Sequence, residues 1–341
     1  MKEIHLLPPK LLRTPSVTLV NDWYVKSFTE ILQFEKMDSS SETLANFAST
    51  LVHIRNRHID VVPTMAQGVL ELKEGRSVDA QTEHSIQYFL DRFYMSRIGI
   101  RMLINQHTML FGSDYHHEGS KHIGAIDPQC DLVAVVEDAF ENARFLCDQY
   151  YLASPDLIVT QHNAELVKGE HIHIVYVPSH LYHMLFELFK NSMRAVMEYH
   201  SDNYPPIEVA IVKGKEDICI KVSDKGGGIP RSQTDRMFHY MYSTAPQPSK
   251  SDVNTVPLAG YGYGLPLSRL YARYFHGDLV LLPCDGYGTD VVIYMKALSN
   301  EANELLPIFN KISTRVYQTK VTRGDWSDQA GVTAVSRTSI M

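Results

Sequence analysis

The sequence contains few cysteines, and their spacing excludes a disulfide-stabilised class of protein. Only four of its 341 residues are cysteine, at positions 130, 147, 219 and 284, and none of them forms a C-x-x-C pair. Four widely separated cysteines in a chain of this length do not make the disulfide framework of a small secreted domain. A reducing compartment is therefore the expected environment.

Excess positive charge and long apolar runs are also missing. The formal net charge is −7 at pH 7, so no basic field attracts nucleic acid or an anionic membrane, and we expect neither as a partner. The longest strongly apolar stretches, such as residues 181–189, are well below the ~18 residues that a membrane span needs. We therefore expect no membrane insertion.

The N-terminus shows no targeting pattern. Its first residues, MKEIHLLPPK, have neither the apolar core of a signal peptide nor the Arg- and Ser-rich composition of a transit peptide. Taken alone, this predicts the cytosol. The composition, with 44% hydrophobic and 21% charged residues, is ordinary for a soluble globular protein. The length of 341 residues leaves room for two domains.

Residues 1–152 are predicted to be helical. Apolar residues recur at the i, i+3, i+4 spacing of a buried helix face, most clearly over residues 131–152 and 82–111. Shorter helical segments are predicted at 16–37 and 42–57. No strand pattern interrupts them, so an antiparallel helical bundle is the expected architecture.

The pattern changes after about residue 153. Short, β-branched, alternating segments predict strands at 157–161, 171–177, 207–213, 218–223, 279–282 and 290–294. Predicted helices lie between them at 179–199, 232–240 and 265–275. Strands that come in adjacent pairs between helices favour an α+β fold whose second part, residues 153–300, is an α/β sandwich with a mixed sheet covered on one face.

Two stretches have no periodic pattern. Residues 243–257 are rich in Pro, Ser, Thr and Asn, which predicts a long loop that serves as a lid or is disordered. Residues 301–341 are predicted to be an extended tail.

The first chemical motif lies on the helix predicted at 179–199. Glu187, Asn191 and Arg194 stand at i, i+4 and i+7 and so share one face. An amide and a carboxylate one turn apart suit a hydrated Mg²⁺ ion, and Arg194 and Lys190 are candidates for phosphate contacts. Solvated helix faces often carry the same residue types, so this motif is weak by itself.

The second motif follows the strand predicted at 218–223. Asp224 ends that strand, and the glycines after it, Gly226 and Gly228 among them, let a flat base approach the backbone. A carboxylate at this place can accept a hydrogen bond from an adenine amino group. A plain glycine turn gives the same pattern.

The third motif is a glycine-rich segment directly before a predicted helix. Glycine amides ahead of a helix N-terminus form an anion cradle to which the helix dipole adds. The segment lacks the Lys-Ser/Thr ending of a Walker loop and the strand context of a dinucleotide fingerprint. A flexible hinge is the competing interpretation. Its residues are Gly260, Tyr261, Gly262, Tyr263, Gly264 and Leu265.

Together, and in this order, the three motifs are similar to the Bergerat nucleotide site of the gyrase, histidine kinase and MutL proteins. Thr289, which ends a Gly-x-Gly-Thr run, is similar to the closing element of that site. Longer segments resemble the pyruvate dehydrogenase kinases, among them SHLYHMLFELFKNSMRAV, VSDKGGGIP, PLAGYGYGLPLSRLYARYF and, in the helical half, RNRHIDVVPTMAQGV. The resemblance runs from Met1 to about Trp326.

This resemblance implies an ATP- and Mg²⁺-dependent protein-serine kinase that inactivates the pyruvate dehydrogenase complex by phosphorylating the α subunit of its first component. It implies Glu187 as the general base, His107 as the partner of that glutamate, Asn191 as the Mg²⁺ ligand and Asp224 as the adenine acceptor. Ser243 and Thr244 would enclose the phosphates with residues 260–265. A serine hydroxyl, with a pKa far above 7, needs such a positioned acceptor when it attacks phosphorus.

The resemblance also implies partners and a location. Asp325 and Trp326 resemble an Asp-Trp motif that docks the tail across a homodimer and supports the binding of lipoyl domains of the transacetylase core. The helical half, residues 1–152, would carry a regulatory, lipoyl-docking role, and the protein would work in the mitochondrial matrix. Members of this family usually carry a transit peptide and a first helical segment before the position that matches Met1; we expect this chain to lack both and its lipoyl-docking surface to be altered accordingly.

Three alternatives remain open from the sequence. A truncated isoform would bind ATP or lipoyl domains without phosphorylating, and branched-chain α-keto acid dehydrogenase kinase shares the ATP motifs. A two-component histidine kinase needs a phospho-acceptor histidine in a His-Glu/Asp box within a dimerisation hairpin; the sequence shows no such box, and His183 is the one histidine near Glu187. A second group of histidines could supply metal ligands: His116, His117 and His122, near Asp127 and Cys130. Their spacing fits no zinc template, so this stretch is interpreted as a solvated loop. His171 and His173 are interpreted as structural.

Overall fold

Helices form the N-terminal part of the protein in the computed structural model, which describes residues 4, 7–75, 80–112, 122–163, 171–240, 242 and 262–305. The described helices here are α1 (Pro9–Leu12), α2 (Pro15–Leu32), α3 (Ser41–Arg57), α4 (Val61–Gly75) and α5 (Ala80–Phe111). Local chemistry fixes where two of them begin. Pro15 occupies the first turn of α2, where its missing N–H costs nothing, and the Ser40 hydroxyl caps α3 by accepting from the Thr43 N–H at 3.1 Å.

Helix α4 is absent from the sequence prediction. Pro63 and Gly68 obscure its pattern, and Gly68 has a packing role: a Cβ at this position would lie 2.5 Å from Cγ2 of Val17 on α2. The glycine therefore lets two helices of the bundle approach each other closely. The shared core of this region includes Val17, Val20, Met65, Val69 and Leu90.

The rest of the chain forms a mixed sheet and its helices. Its elements are β1 (Asp127–Asp131), α6 (Leu132–Tyr151), β2 (Leu157–Asn163), β3 (His173–Tyr176), α7 (Pro178–Tyr199), β4 (Ile207–Lys213), β5 (Asp217–Asp224), α8 (Arg231–Thr234), α9 (Gly264–Tyr274), β6 (Asp278–Cys284) and β7 (Gly288–Lys296). Five strands pair in the order β2-β4-β5-β7-β6. The β2–β4 pair is parallel and the others are antiparallel, which confirms the predicted α+β fold with a mixed sheet.

The helices cover one face of this sheet. The strands alternate buried and exposed positions, as in β5, and their buried side chains share one core with α6 and α7. Phe140 of α6 and Phe189 of α7 meet edge to face in that core, with ring centroids 5.3 Å apart. Among the described residues, no helix combines the length and apolar composition that crossing a membrane requires.

Strand β1 corrects the prediction that no strand interrupts residues 1–152. It pairs antiparallel with β3, which was predicted as part of residues 171–177, in a separate two-stranded sheet. Helix α6 follows β1 directly, and its buried side chains lie in the core of the large sheet rather than in that of the bundle. The predicted domain boundaries at residues 152 and 300 stay predictions.

The helix predicted at 232–240 is also wrong in length. Only Arg231–Thr234 is helical, and the chain then continues as turns to Tyr240. A contact distant in the sequence explains the difference, because the Gln87 side chain of α5 binds the Phe238 carbonyl oxygen and the Tyr240 N–H. Those backbone groups are therefore not available to a helix.

Helix α9 belongs to both cores. Leu265 and Ala272 pack with the sheet, whereas Leu267, Leu270 and Tyr274 pack with the helical bundle. The nucleotide motif that starts this helix therefore lies at the junction of the two halves.

Candidate functional site

Helix α7 supplies one wall of a large cleft. Its apolar residues, Met184, Leu185, Leu188 and Phe189 among them, are fully buried against the sheet. The residues between them turn the opposite way because a helix repeats every 3.6 residues. Glu187, Asn191 and Arg194 therefore share an accessible face, as predicted.

The cleft has a volume of about 810 Å³. It brings together residues from α4, α7, the ends of β5 and β7, and the beginning of α9. The predicted site residues that line it are Glu187, Lys190, Asn191, Arg194, Asp224, Gly226, Gly228, Gly262, Tyr263, Gly264, Leu265 and Thr289. Every predicted ATP-site residue that the structure describes thus lies at this cleft.

Asp224 is held rigidly at the inner end of the cleft. Its side chain accepts hydrogen bonds from the Ser192 hydroxyl at 3.1 Å and from the Gly226 N–H at 2.9 Å. Burial raises the pKa of this carboxyl group, and the hydrogen bonds from Gly226 and Ser192 oppose that rise. A carboxylate fixed in this way can accept one more hydrogen bond from a ligand in the cleft.

Backbone packing explains why glycine follows Asp224. Gly228 has φ +72°, and a Cβ there would collide with the Cys284 carbonyl oxygen. Asp224 pairs in register with Thr289 on the neighbouring strand, which places the Gly-Thr element beside the carboxylate. Asp224, Gly226, Gly228 and Thr289 thus line one part of the cleft together.

The beginning of α9 forms the opposite end. Gly262 has φ +78°, a conformation that L-residues adopt at a cost, and a Cβ there would lie 2.5 Å from the Tyr242 carbonyl oxygen. Tyr263 is the N-cap of α9, and its side chain makes no capping hydrogen bond. Tyr263 thus leaves the N–H groups of Gly264 and Leu265 without a cap from its own side chain, and N–H groups at such a helix N-terminus can bind an anion.

Gly264 brings this helix terminus against the predicted general base. A Cβ at this position would collide with the Glu187 carboxylate. The absence of a side chain therefore allows the carboxylate and the helix N-terminus to share one place in the cleft.

Both predicted phosphate-binding cations have carboxylate partners. Lys190 Nζ lies 2.7 Å from Glu187 Oε1, and Arg194 Nε lies 2.8 Å from Glu198 Oε1. Lys190 also lies over the Phe186 ring, 4.8 Å from its centroid. A triphosphate that enters the cleft must compete with the two carboxylates for these cations.

The structure does not pair His107 with Glu187, which corrects the assignment carried over from the family. The His107 ring packs against Phe47, with centroids 5.1 Å apart, and against Phe111, at 5.0 Å. It does not line the cleft. His107 lies on the side of α5 that faces the helical bundle. Sequence spacing gives no information about how far His107 lies from Glu187.

His183 is the histidine that the structure brings to the cleft beside Glu187. It lies one helical turn before the glutamate, lines the same cleft and packs against Tyr271 at 4.7 Å between ring centroids. Burial lowers the pKa of His183 below its ordinary value of 6.5; the Glu187 carboxylate opposes this change and Lys190 adds to it. The imidazole is therefore neutral at pH 7. The i, i+4 spacing to Glu187 was the signal that could have identified it.

Sequence reasoning missed several other cleft residues. Ser192 and Glu198 hold Asp224 and Arg194 through the bonds described above. Val62, Pro63 and Ala66 of α4 close the cleft from the helical half. No sequence spacing connects α4 to the motifs, so only the tertiary structure could find them.

Six predicted site residues lie outside the described residues: Ser243, Thr244, Gly260, Tyr261, Asp325 and Trp326. The predicted loop at 243–257 and most of the predicted tail lie there too, as do His116 and His117 of the histidine cluster.

His122 and His171, two other histidines singled out in the sequence, have local partners. His122 Nε2 lies 3.5 Å from Asp127 Oδ2, and His171 Nδ1 lies 2.7 Å from Asp131 Oδ2. Within the part of the chain that the structure describes, no group of three or more His, Cys, Asp or Glu residues could hold a metal ion. Burial raises the pKa of the Cys130 thiol to about 12, so it does not offer a thiolate.

Two family descriptions match separate parts of the chain. Residues 1–127 match the family described as mitochondrial branched-chain alpha-ketoacid dehydrogenase kinase. Residues 176–299 match the family described as histidine kinase-, DNA gyrase B- and HSP90-like ATPase. The second match contains all of α7 and α9, and with them the described phosphate, adenine and general-base candidates.

Curated relatives are similar over almost the whole chain. The mitochondrial pyruvate dehydrogenase (acetyl-transferring) kinase of Drosophila melanogaster is 66% identical over 99% of this chain and 83% of its own length. Isozyme 1 of the same kinase from Rattus norvegicus is 57% identical over 96% of this chain and 76% of its own. The Homo sapiens isozyme 1 is 55% identical over the same shares.

Proposed function

The chain belongs to the pyruvate dehydrogenase kinase family, and we propose on that basis that it transfers phosphate from ATP to a serine of the pyruvate dehydrogenase α subunit and thereby inactivates the complex. One observation carries the chemistry. Glu187 shares a single cleft with Asp224, with Asn191 and with the uncapped N-terminus of α9. A base, a candidate adenine acceptor and an anion-binding helix terminus thus lie within reach of one nucleotide.

The adenine binds at the Asp224 end in this proposal. Its amino group donates to the carboxylate, which the Ser192 hydroxyl and the Gly226 N–H already hold in place. Because both donors favour the ionised form, they counteract the burial that raises the pKa of Asp224. The glycine backbone and Thr289 enclose the ring.

The phosphates lie towards α9. The N–H groups of Gly264 and Leu265 and the positive end of the helix dipole stabilise their charge. Lys190 leaves Glu187 and turns to the phosphates when ATP is bound. When Lys190 moves to the phosphates, the Glu187 carboxylate loses its cation partner and can accept a proton.

The transfer step needs little covalent help from the protein. The serine hydroxyl attacks the γ-phosphorus, the bond from phosphorus to the β,γ-bridging oxygen breaks, ADP leaves, and Glu187 accepts the hydroxyl proton. Catalysis then rests on positioning and on charge stabilisation. The neutral His183 orients Glu187 without lowering its basicity, as a protonated imidazole would.

Asn191 fits the Mg²⁺ ion that such a reaction uses. Its amide oxygen is a hard ligand at the cleft, next to Glu187 and Lys190. Mg²⁺ binds through few protein oxygens together with phosphate and water, so it needs no cluster of acidic residues. When bound, the ion would offset the negative charge of the phosphates.

Partners and location complete the proposal. The sheet face opposite to the helices exposes Ile158, Val212, Leu282 and Tyr294 on four different strands, which supports a homodimer formed through that face. We also propose docking on lipoyl domains and a mitochondrial matrix location, and the mitochondrial relatives support the location. Asp325 and Trp326, the tail residues proposed for docking, lie outside the described residues.

The decisive experiment is ATP-dependent inactivation of purified pyruvate dehydrogenase complex by the full chain, with Glu187→Gln as the variant. We expect the wild type to inactivate the complex and to leave acid-stable phosphate on serine. Glu187→Gln should lose about 10²–10⁴-fold in rate, the usual contribution of a general base, while it still binds ATP.

Three results would contradict the proposal. Acid-labile phosphate on His183 would indicate a histidine kinase. Binding of ATP by a wild type that phosphorylates nothing would favour the non-catalytic isoform. Faster phosphorylation of the branched-chain than of the pyruvate dehydrogenase component would assign the other kinase of this family.

A further inference from the structure

Helix α5 of the bundle holds a segment of the nucleotide half through one glutamine side chain. Gln87 Nε2 donates to the Phe238 carbonyl oxygen at 3.0 Å, and Gln87 Oε1 accepts from the Tyr240 N–H at 2.9 Å. The amide therefore pairs with two backbone groups in the way that a neighbouring β-strand would. The donor and acceptor residues are 151 positions apart in the sequence.

A second residue of α5 binds the side chain of the same segment. Asp91, one turn after Gln87, accepts a hydrogen bond of 2.8 Å from the Tyr240 hydroxyl group. Tyr240 is only 5% exposed, so this polar group would otherwise be buried without a partner. Three hydrogen bonds from one helix turn thus fix residues 238–240.

This segment supports the glycine turn of the nucleotide site. Tyr240 packs against Tyr263, the N-cap of α9, with ring centroids 5.0 Å apart. Tyr94 of α5 contacts both rings, at 5.6 Å from Tyr240 and 5.9 Å from Tyr263. All three tyrosines are buried.

One contact joins the segment to α9, and another joins the nearby Tyr242 to the glycine turn before this helix. The Arg269 guanidinium lies over the Phe238 ring, 4.6 Å from its centroid. Gly262 lies directly against the backbone of Tyr242, where only a residue without a side chain fits. The N–H groups proposed to bind phosphate are therefore supported from behind by residues that α5 holds.

We infer that Gln87 and Asp91 are positioning residues for nucleotide binding, which fix the beginning of α9 from the helical half through residues 238–240. Neither residue lines the cleft, so neither touches the nucleotide. The inference rests on the proposed role of the cleft as the ATP site, and it assigns to α5 a part in setting ATP affinity. A helix N-terminus binds an anion well only when its N–H groups already converge, because ordering them afterwards costs affinity.

The chain offers a matched control on the same helix. Gln106 Nε2 donates to the Ile123 carbonyl oxygen at 2.9 Å, and its Oε1 accepts from the Ala125 N–H at 2.8 Å. This is the same amide-to-backbone pairing, but the segment that it holds does not line the cleft. Gln87→Leu and Gln106→Leu thus remove equal numbers of similar bonds from one helix.

The experiment measures ATP dissociation constants by calorimetry and unfolding free energies by denaturant titration, on the full chain. We expect Gln87→Leu to weaken ATP binding about five- to tenfold, the effect of losing one or two hydrogen bonds, with a smaller change in kcat at saturating ATP. Gln106→Leu should lose comparable stability and keep its ATP affinity within about twofold of the wild type. Equal ATP affinities of the two variants, at comparable stability, would overturn the inference.

Asp91 and Tyr240 provide the second test, in case Gln87→Leu does not fold. Tyr240→Phe removes only the hydroxyl group and should weaken ATP binding about threefold or more, whereas Asp91→Asn keeps an acceptor and should bind ATP nearly as the wild type does. Unchanged ATP affinity in Tyr240→Phe counts against the inference. Because ATP binding is measured without a protein substrate, failure of the proposed kinase activity is distinguishable from failure of this role.

Discussion

The charged residues of α7 show how single side chains depend on what the cleft contains. Lys190 and Arg194 were predicted as phosphate ligands, and in the structure both are paired with carboxylates of the same helix. Glu187 is therefore bound to a cation until a stronger anion competes for Lys190. In the proposed mechanism, proton acceptance by Glu187 therefore depends on ATP binding, because the phosphates compete for Lys190.

A comparison of two histidines tests the assignment at Glu187. We expect His183→Ala to reduce kcat on the order of tenfold, less than the loss of the base itself, because it removes only the group proposed to orient Glu187. The KM for ATP should change little. His107→Ala should leave kcat near that of the wild type, since the His107 ring contacts Phe47 and Phe111 instead.

The measurement is the initial rate of complex inactivation at saturating ATP. If His107→Ala greatly lowers this rate and His183→Ala leaves it at the wild-type value, His107 would again be assigned as the partner of Glu187.

At the scale of elements, the start of α6 combines two interactions in one residue. Asp131 caps the helix by accepting from the Val133 N–H at 2.9 Å and from the Ala134 N–H at 3.2 Å. The same carboxylate pairs with His171, which lies next to strand β3. Partial burial raises the pKa of Asp131, but the His171 bond and the cap bonds outweigh it and hold the pKa below its ordinary value of 3.8.

Replacing this cap should destabilise the protein. Asp131→Ala should cost about 1 kcal/mol of unfolding free energy, the usual value of an N-cap, and Asp131→Asn should cost less because its amide oxygen still caps the helix. A folded-state pKa below the unfolded value stabilises the protein above pH 3.8, and this contribution is lost as pH falls through the lowered pKa. Denaturant titrations of the wild type and of Asp131→Ala between pH 3 and pH 7 measure this loss of unfolding free energy. A loss that does not change with pH would contradict the contribution of the ionised carboxylate.

At the scale of the whole molecule, α9 and Asp91 connect the two halves. The buried residues of α9 are divided between the core of the sheet and that of the bundle, so neither half can repack around this helix alone. Asp91 lies where α5 meets Tyr240, with Arg269 and Arg273 of α9 nearby. Burial raises the pKa of Asp91 to about 6, while the Tyr240 hydrogen bond and the two arginines oppose the rise.

This junction predicts a pH dependence of stability. Because the folded-state pKa is above the unfolded value of 3.8, the ionised Asp91 costs stability above about pH 6, and the cost disappears as pH falls towards 3.8. Asp91→Asn should therefore become more stable relative to the wild type as pH rises from 4 to 7, by at most about 3 kcal/mol. Parallel denaturant titrations of both proteins measure this difference, and one that stays constant with pH would falsify the raised pKa.

The sequence by itself determined the features that depend on neighbours within a few turns. The 3.6-residue period predicted α5, α6 and α7, and the strand-glycine pattern correctly placed Asp224 at a strand end. The stacking of Glu187, Asn191 and Arg194 follows from helix geometry alone. Each of these rests on interactions between residues close in the chain, which sequence spacing encodes directly.

Only the tertiary structure decided which distant residues meet. It moved α6 from the bundle to the core of the sheet, ended the helix predicted at 232–240 early through Gln87, and brought His183 rather than His107 to the cleft. In each case the deciding contact joins residues far apart in the sequence, and its energy depends on how two cores pack rather than on any local period. The cleft that three short motifs predicted is also lined by Val62, Pro63 and Ala66 of α4, a helix that the sequence prediction did not contain.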